Sequence, residues 1–259
     1  MAAHRPFFVI VPGAAQNPAH HGYLSHLLLL KGYPVLMAWL PSVASAEKVT
    51  AADDAAYIRN KMILPVLDYE GHDVILIMHS YSGIPGSAAA AGLGQERIAQ
   101  GKKTSVIGQI FVTSLLATGG EGKSTTETYG GELPPHISAD PVLDLLRGND
   151  RRVEALYNDV PQNLIDAVAV SGLPQGKTSL DSPLPRASWD TEEYKGRVAY
   201  IRALKDVAHP VSLQQTMLDL VKGVDWIIKD IDSGHCPQLS RPEEYAEILV
   251  ELATTFMAL

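Results

Sequence analysis

The sequence predicts an α/β fold: a mostly parallel sheet of about six strands, helices on both faces and an inserted helical cap. Three observations carry that expectation. Short apolar runs alternate with amphipathic stretches along most of the chain. Residues 74–78 form an unbroken aliphatic run, as in a strand buried on both faces of a parallel sheet. The segment 115–194 interrupts the alternation and need not complete the sheet.

Each element has its own signal. Residues 7–11 read as a buried strand, followed by a loop of small side chains, Pro12 to Pro18. A helix over 23–30 is stopped by Gly32. Residues 34–39 form the second strand. A long amphipathic helix over 46–67 carries Ala55, Ile58, Met62 and Leu67 on its apolar side and bends at Pro65. The third strand, 74–78, runs straight into His79-Ser80-Tyr81-Ser82-Gly83. The small residues 87–91 then suit a helix packed close to the sheet. Residues 106–113, 197–202 and 225–229 complete the strands. Ser240-Arg-Pro-Glu243 reads as a capping box with proline in the first turn. It opens a helix on which Tyr245, Ile248, Leu249, Leu252 and Phe256 recur at helical spacing.

The expected organisation is one domain over 1–259 with a cap inserted at 115–194. That insertion holds a glycine-rich loop (119–131), helical pieces at 141–146, 152–157 and 161–170, and Pro- and Ser-rich turns. It should roof the carboxyl edge of the sheet, where open α/β folds bind ligands. The net charge of −8 comes without a basic run, which argues against nucleic acid and anionic membranes as partners. Cys236 is the only cysteine, so no intramolecular disulfide can form, as befits a reducing compartment. Phe7–Val11 is too short for a signal-peptide core, and no run is long enough to span a bilayer. A cytoplasmic protein is expected, and a homodimer stays open.

The chemistry centres on Ser80. A strand, a tight turn with a central serine and a helix form the context of a nucleophile elbow. Side chains two before and two after that serine are usually glycine because the turn is crowded. Here they are Met78, which must find room, and Ser82, which is small. A serine nucleophile needs a base and an acid, in this fold in the order Ser, Asp or Glu, His. His235 lies in a small-residue loop after the last strand. Asp206, at the end of the preceding strand, is the preferred acid, with Asp230 and Asp232 as competitors. The N–H groups of Tyr81 and Ala14 are the expected oxyanion donors. Substrate groups are expected near His21, Tyr157 and Trp189. His79 should be held in the elbow, pointing away from the pocket, and His4 should lie at the surface.

Taken together, Phe7 to Ala14, Met78-His-Ser-Tyr-Ser-Gly83, Lys205-Asp-Val-Ala-His-Pro210 and Ser233-Gly-His-Cys-Pro237 resemble the α/β-hydrolase superfamily. The likeness is to its compact group that includes plant methyl esterases and hydroxynitrile lyases. It covers most of the chain outside 115–194. The family often has His-Gly in the oxyanion loop, where this chain has Pro12-Gly13. The resemblance implies a serine hydrolase acting on a small-molecule carboxylic ester or lactone, with no metal and no organic cofactor. The group's lyases carry a threonine in the oxyanion loop and a lysine after the histidine. Gly13 and Cys236 stand there, which favours the esterase over a C–C bond lyase. A non-catalytic small-molecule receptor is the alternative of another class.

Two rival motifs are set aside. Ala117 to Ser124 fits a loose phosphate-binding loop, but the glycines and prolines after it predict no helix to hold phosphates. Cys236 neighbours His235 in sequence, so the two are poorly placed to act as nucleophile and base, and it reads as packing.

Overall fold

The computed structural model describes residues 5–221 and 223–259; His4 lies outside them. In chain order the strands are β1 (Phe7–Val11), β2 (Val35–Met37), β3 (Val74–His79) and β4 (Val106–Val112). The insertion then contributes β5 (Ile137–Ala139), β6 (Leu145–Gly148) and β7 (Gln175–Gly176), before β8 (Val198–Ala203) and β9 (Ile227–Ile231). Six of these make one sheet in the order β2-β1-β3-β4-β8-β9. Every neighbouring pair in it is parallel. This is the α/β-hydrolase fold expected from the sequence.

Parallel strands need covering on both faces, and alternate residues of the central strands serve the two sides. Ile75 and Ile77 of β3 join Leu24 and Leu28 of the Gly22–Leu30 helix and Tyr245, Leu249, Leu252 and Phe256 of the Pro242–Met257 helix. Leu76 and Met78 face the other way, onto Ile58, Met62, Tyr81 and Ile84. β3 is buried along its whole length, which is why its sequence is aliphatic throughout.

Several boundaries differ from expectation for local reasons. The helix expected from residue 46 begins at Ala51, because Thr50 and Asp53 form a reciprocal capping box there. Its continuation widens into π-helical turns, Ile58–Ile63 and Val66–Glu70, on either side of Pro65, which has no N–H to give. β9 starts two residues later than expected; it is an edge strand with alternating burial, so its apolar signal is weak. Ser240 does not cap the last helix. It ends a short helix, Pro237–Ser240, and its hydroxyl lies 2.8 Å from that of Ser233.

The insertion is not purely helical. Residues 141–146, expected as a helix, lead into β6, the centre of a three-stranded antiparallel sheet β5-β6-β7. The helices Arg152–Tyr157 and Gln162–Ser171 do form. A one-turn helix, Thr125–Thr128, lies within the glycine-rich loop where none was expected. Its N-terminus is filled by its own capping box: Ser124 Oγ accepts from Glu127 N (3.1 Å), and Glu127 Oε2 from Ser124 N (2.8 Å). The last stretch of the insertion belongs to the main core, where Leu184, Ala187, Trp189 and Tyr194 are buried.

Met78 finds its room at Gly86, one turn into the helix after the elbow. A Cβ at Gly86 would stand 2.6 Å from both Cγ and Sδ of Met78, which is itself fully buried and has nowhere to swing. The glycine that the turn lacks before the serine is thus supplied after it. Gly86→Ala should cost about 1–3 kcal/mol by overpacking, read from urea denaturation. Adding Met78→Ala should recover part of that loss. Strict additivity of the two substitutions would show that Met78 is not what requires the glycine.

Candidate active site

Ser80 follows β3 directly and has φ +56°, a left-handed conformation that costs a non-glycine residue about 1–2 kcal/mol. The turn is braced from β4's continuation. The Ser80 carbonyl accepts from Leu115 N (3.0 Å) and from Ser114 Oγ (2.7 Å). Ser82 is turned inward, and its hydroxyl donates to the carbonyls of Val11 and His79, both at 2.8 Å. Of the elbow's two serines, only Ser80 presents its side chain to a cavity.

Three groups from three loops meet there. Ser80 Oγ lies 3.1 Å from His235 Nε2. His235 Nδ1 lies 2.8 Å from Asp206 Oδ2, with both side chains buried. Asp206 accepts further from Thr113 Oγ1, and its Oδ1 from the His209 N–H at 2.8 Å. Burial alone would raise the Asp206 carboxyl. The His235 charge and hydrogen bond, with His209 and Thr113, outweigh it and hold Asp206 at about 2. The competing acids are committed elsewhere. Asp230 forms a two-pronged pair with Arg202 (2.7 and 2.9 Å), and Asp232 pairs with Lys205 (2.6 Å). Chemically, such a chain can move the serine proton to Nε2 while the carboxylate stabilises the imidazolium.

Ala14 and Tyr81 both line the cavity beside Ser80. The Tyr81 side chain runs the other way, donating to Asp54 Oδ2 at 2.9 Å, a buried carboxylate that also holds Ser42. The loop after β1 is tied to the insertion: Ala15 N–H donates to Gln175 Oε1 (3.0 Å), and Leu173 N–H to the Ala15 carbonyl (2.8 Å).

The cavity measures about 440 Å³. Tyr157 lines it, with Leu133, Leu156, Leu173, Leu180 and Leu213 among its apolar walls. The other two substrate-contact expectations are corrected. Trp189 is 3 % exposed and packs in the core beside Trp226, ring centroids 5.8 Å apart, away from the cavity. His21 is buried behind Gln16, with Nε2 3.1 Å from Gln16 Oε1, and does not line the cavity. Trp189 packs against Trp226 and His21 lies edge-on to His79, partners distant in sequence that no local pattern reveals.

Sequence reasoning missed Gln16 and His209. Gln16 Oε1 lies 3.1 Å from Gly13 N, His21 Nε2 and His79 Nδ1, gathering three groups behind the site. His79 Nε2 in turn donates to the His235 carbonyl (2.7 Å), away from the cavity as expected. His209 Nδ1 donates to the Thr113 carbonyl (3.0 Å), and its ring lies edge-on to His235. Gln16 could have been noticed as a long polar side chain in a loop of small ones. Asp206, His209 and His235 lie close enough to hold a cation. Their hydrogen bonds to one another and to Thr113 already account for the carboxylate and both Nδ1 atoms. Cys236 is fully buried and receives Gln16 Nε2 at 3.6 Å; burial pushes its thiol well up, so it stays protonated.

The buried imidazoles make the site acid-sensitive. Burial first, and His20 second, lower His21 to about 3. Burial, then the His235 charge, lowers His136 and His209 to about 4. Unfolded, each returns to about 6.5. Between these values the unfolded chain binds protons that the folded chain refuses, so stability is complete above about 6.5 and falls as pH drops toward 3–4. His21→Gln, which keeps a donor for Gln16, should remove about one proton taken up on unfolding at pH 5. The fall should flatten by up to about 1.4 kcal/mol per pH unit. Urea titrations at pH 7, 6 and 5 measure it; equal slopes in both proteins would contradict a neutral buried His21.

The comparisons with known proteins agree with this architecture. Residues 8–248 match the model of the alpha/beta hydrolase family. "Alpha/beta hydrolase nvfD" of Aspergillus novofumigatus (strain IBT 16806) is 29 % identical over 245 residues, covering 92 % of this chain and 93 % of that protein. A pyrethroid hydrolase from Sphingobium faniae JZ-2 is similar in structure at a TM-score of 0.73, with 21 % identity over 96 % of this chain and 97 % of that one. The methylesterase protein MES16 from Arabidopsis gives 0.68 and 17 %, over 96 % and 99 % of the two chains. A match over most of its length, on a sheet of this order with an elbow serine at its centre, makes this chain an enzyme of the alpha/beta hydrolase family.

Proposed function

We propose that the protein is a serine hydrolase that cleaves a carboxylic ester or lactone of a small molecule through a seryl acyl-enzyme. The observation that carries this reading is the hydrogen-bond chain Ser80 Oγ–His235 Nε2–His235 Nδ1–Asp206 at the floor of an apolar cavity. His235 Nε2 takes the Ser80 proton as Oγ attacks the carbonyl carbon. Asp206 holds the ring by Nδ1 and stabilises the imidazolium. The N–H groups of Ala14 and Tyr81 receive the developing oxyanion. His235 then returns its proton to the leaving alkoxide, and water repeats the sequence on the acyl-enzyme. The insertion 115–194 acts as the cap that selects the substrate. Names such as methylesterase and hydrolase among the similar proteins agree with ester cleavage.

The test is intact-mass measurement after treatment with a serine-reactive phosphonate, followed by peptide mapping. One adduct on Ser80 is expected, absent from Ser80→Ala. An adduct on Ser82, or labelling that survives in Ser80→Ala, would sink the assignment. Ester turnover should fall about 10⁴- to 10⁶-fold in Ser80→Ala and about 10⁴-fold in Asp206→Asn, which favours the wrong tautomer of His235. If Asp206→Asn turns over normally, the acid is misassigned even where the serine stands.

A further inference from the structure

The cavity beside Ser80 contains a cation that the protein itself leaves unanswered. Three charged side chains line it, Glu132, Arg147 and Arg152. Glu132 is exposed, and Arg147 lies 3.6 Å from Asp140. Among the described residues Arg152 has no acidic partner. Its Nη1 donates to the Gly148 carbonyl at 2.9 Å, and its Nε is enclosed without an acceptor. A surface arginine normally keeps its guanidinium in water. An enclosed N–H with no partner is unfavourable, and such a group calls for a ligand or water.

The position of Arg152 is built. A Cβ at Gly148 would stand 2.7 Å from Arg152 Cδ and 3.2 Å from its Cβ, so only glycine there lets the stem lie over β6. Gly148 pairs with Ile137, and Asn149 N–H donates to the His136 carbonyl at 3.0 Å. This pairing brings His136, a buried residue that also lines the cavity, to the strand over which Arg152 lies. Tyr157, further along the same helix, is a third polar group on the wall. Burial raises its phenol, the neighbouring Cys236 adds to this, and the Arg152 charge acts against both. Arginine offers the planar fork that matches a carboxylate.

We propose that Arg152 is the recognition residue for an anion on the substrate, so that the preferred substrate is an ester also bearing a free carboxylate. The carboxylate would sit on Arg152, with His136 and Tyr157 beside it, while the ester carbonyl meets Ser80. The inference rests on the serine-hydrolase reading for the reaction, but the subsite itself is tested by binding alone.

Calorimetry on Ser80→Ala, which removes turnover, would compare monomethyl succinate, glutarate, adipate and suberate with the matching neutral dimethyl esters at pH 7. At least one half-ester should bind about tenfold to hundredfold more tightly than its diester, as expected for a charged hydrogen-bonded pair. Arg152→Gln in the same background should abolish that preference, and Arg152→Lys should keep only part of it. If Arg152→Gln fails to fold, Arg152→Lys reads the contrast through the loss of the two-pronged geometry. No preference in Ser80→Ala, or one untouched by both substitutions, would overturn the proposal. Phosphonate labelling of Ser80 in the wild-type protein separates the two readings. Labelling without a half-ester preference sinks only the subsite, and a half-ester preference without labelling sinks only the hydrolase.

Discussion

Much of the molecule is organised around a left-handed serine at the end of its most buried strand. The Ser80 backbone conformation is unfavourable for any residue with a Cβ, and it persists because neighbours over-determine it. β3 delivers the chain to that point from the middle of a sheet covered on both sides. Leu115 N and Ser114 Oγ then grip the Ser80 carbonyl from the strand next door. The inward-turned Ser82 ties the same turn back to β1 through the Val11 carbonyl. Strain at the serine is thus offset by bonds to β1 and β4, the two strands flanking β3.

Behind this turn lies a polar layer rather than an apolar one. Gln16 Oε1 accepts from the Gly13 N–H and from His21 Nε2, Gln16 Nε2 reaches Cys236 Sγ, and His79 donates to the His235 main chain. The layer couples the loop after β1, the elbow and the histidine loop, which are far apart in sequence. Burying this many imidazoles is tolerable only while they are neutral, so the same layer that aligns the loops also exposes the protein to acid.

The insertion is joined to the body through polar contacts as well as through apolar ones. Gln175 receives Ala15 N–H and donates to Ser42 and Ser179, so the insertion and the loop next to Ser80 share one side chain. The insertion also carries its own small antiparallel sheet, β5-β6-β7. The cavity lies between the loops around Ser80 and residues of the insertion, both of which line it.

The sequence alone determined the main sheet and the neighbourhood of the site. Continuous apolar runs such as Val74–Met78 are dictated by burial on both faces. Ser80, Asp206 and His235 each stand just past a strand, so strand positions located them. Local signals that had no competitor, such as the Tyr245–Phe256 periodicity, also read correctly. Only tertiary structure decided the rest. The Ser240 hydroxyl went to Ser233 instead of a helix end, and residues after 141 joined a hairpin instead of a helix. Trp189 and His21 were drawn into the interior against Trp226 and His79. Asp206 was separated from Asp230 and Asp232 by which cation each could reach. The physical reason is common to all of these. Periodicity reports how a segment faces a layer, whereas a hydrogen bond or a packing partner is chosen among groups that become neighbours only after the layers have assembled.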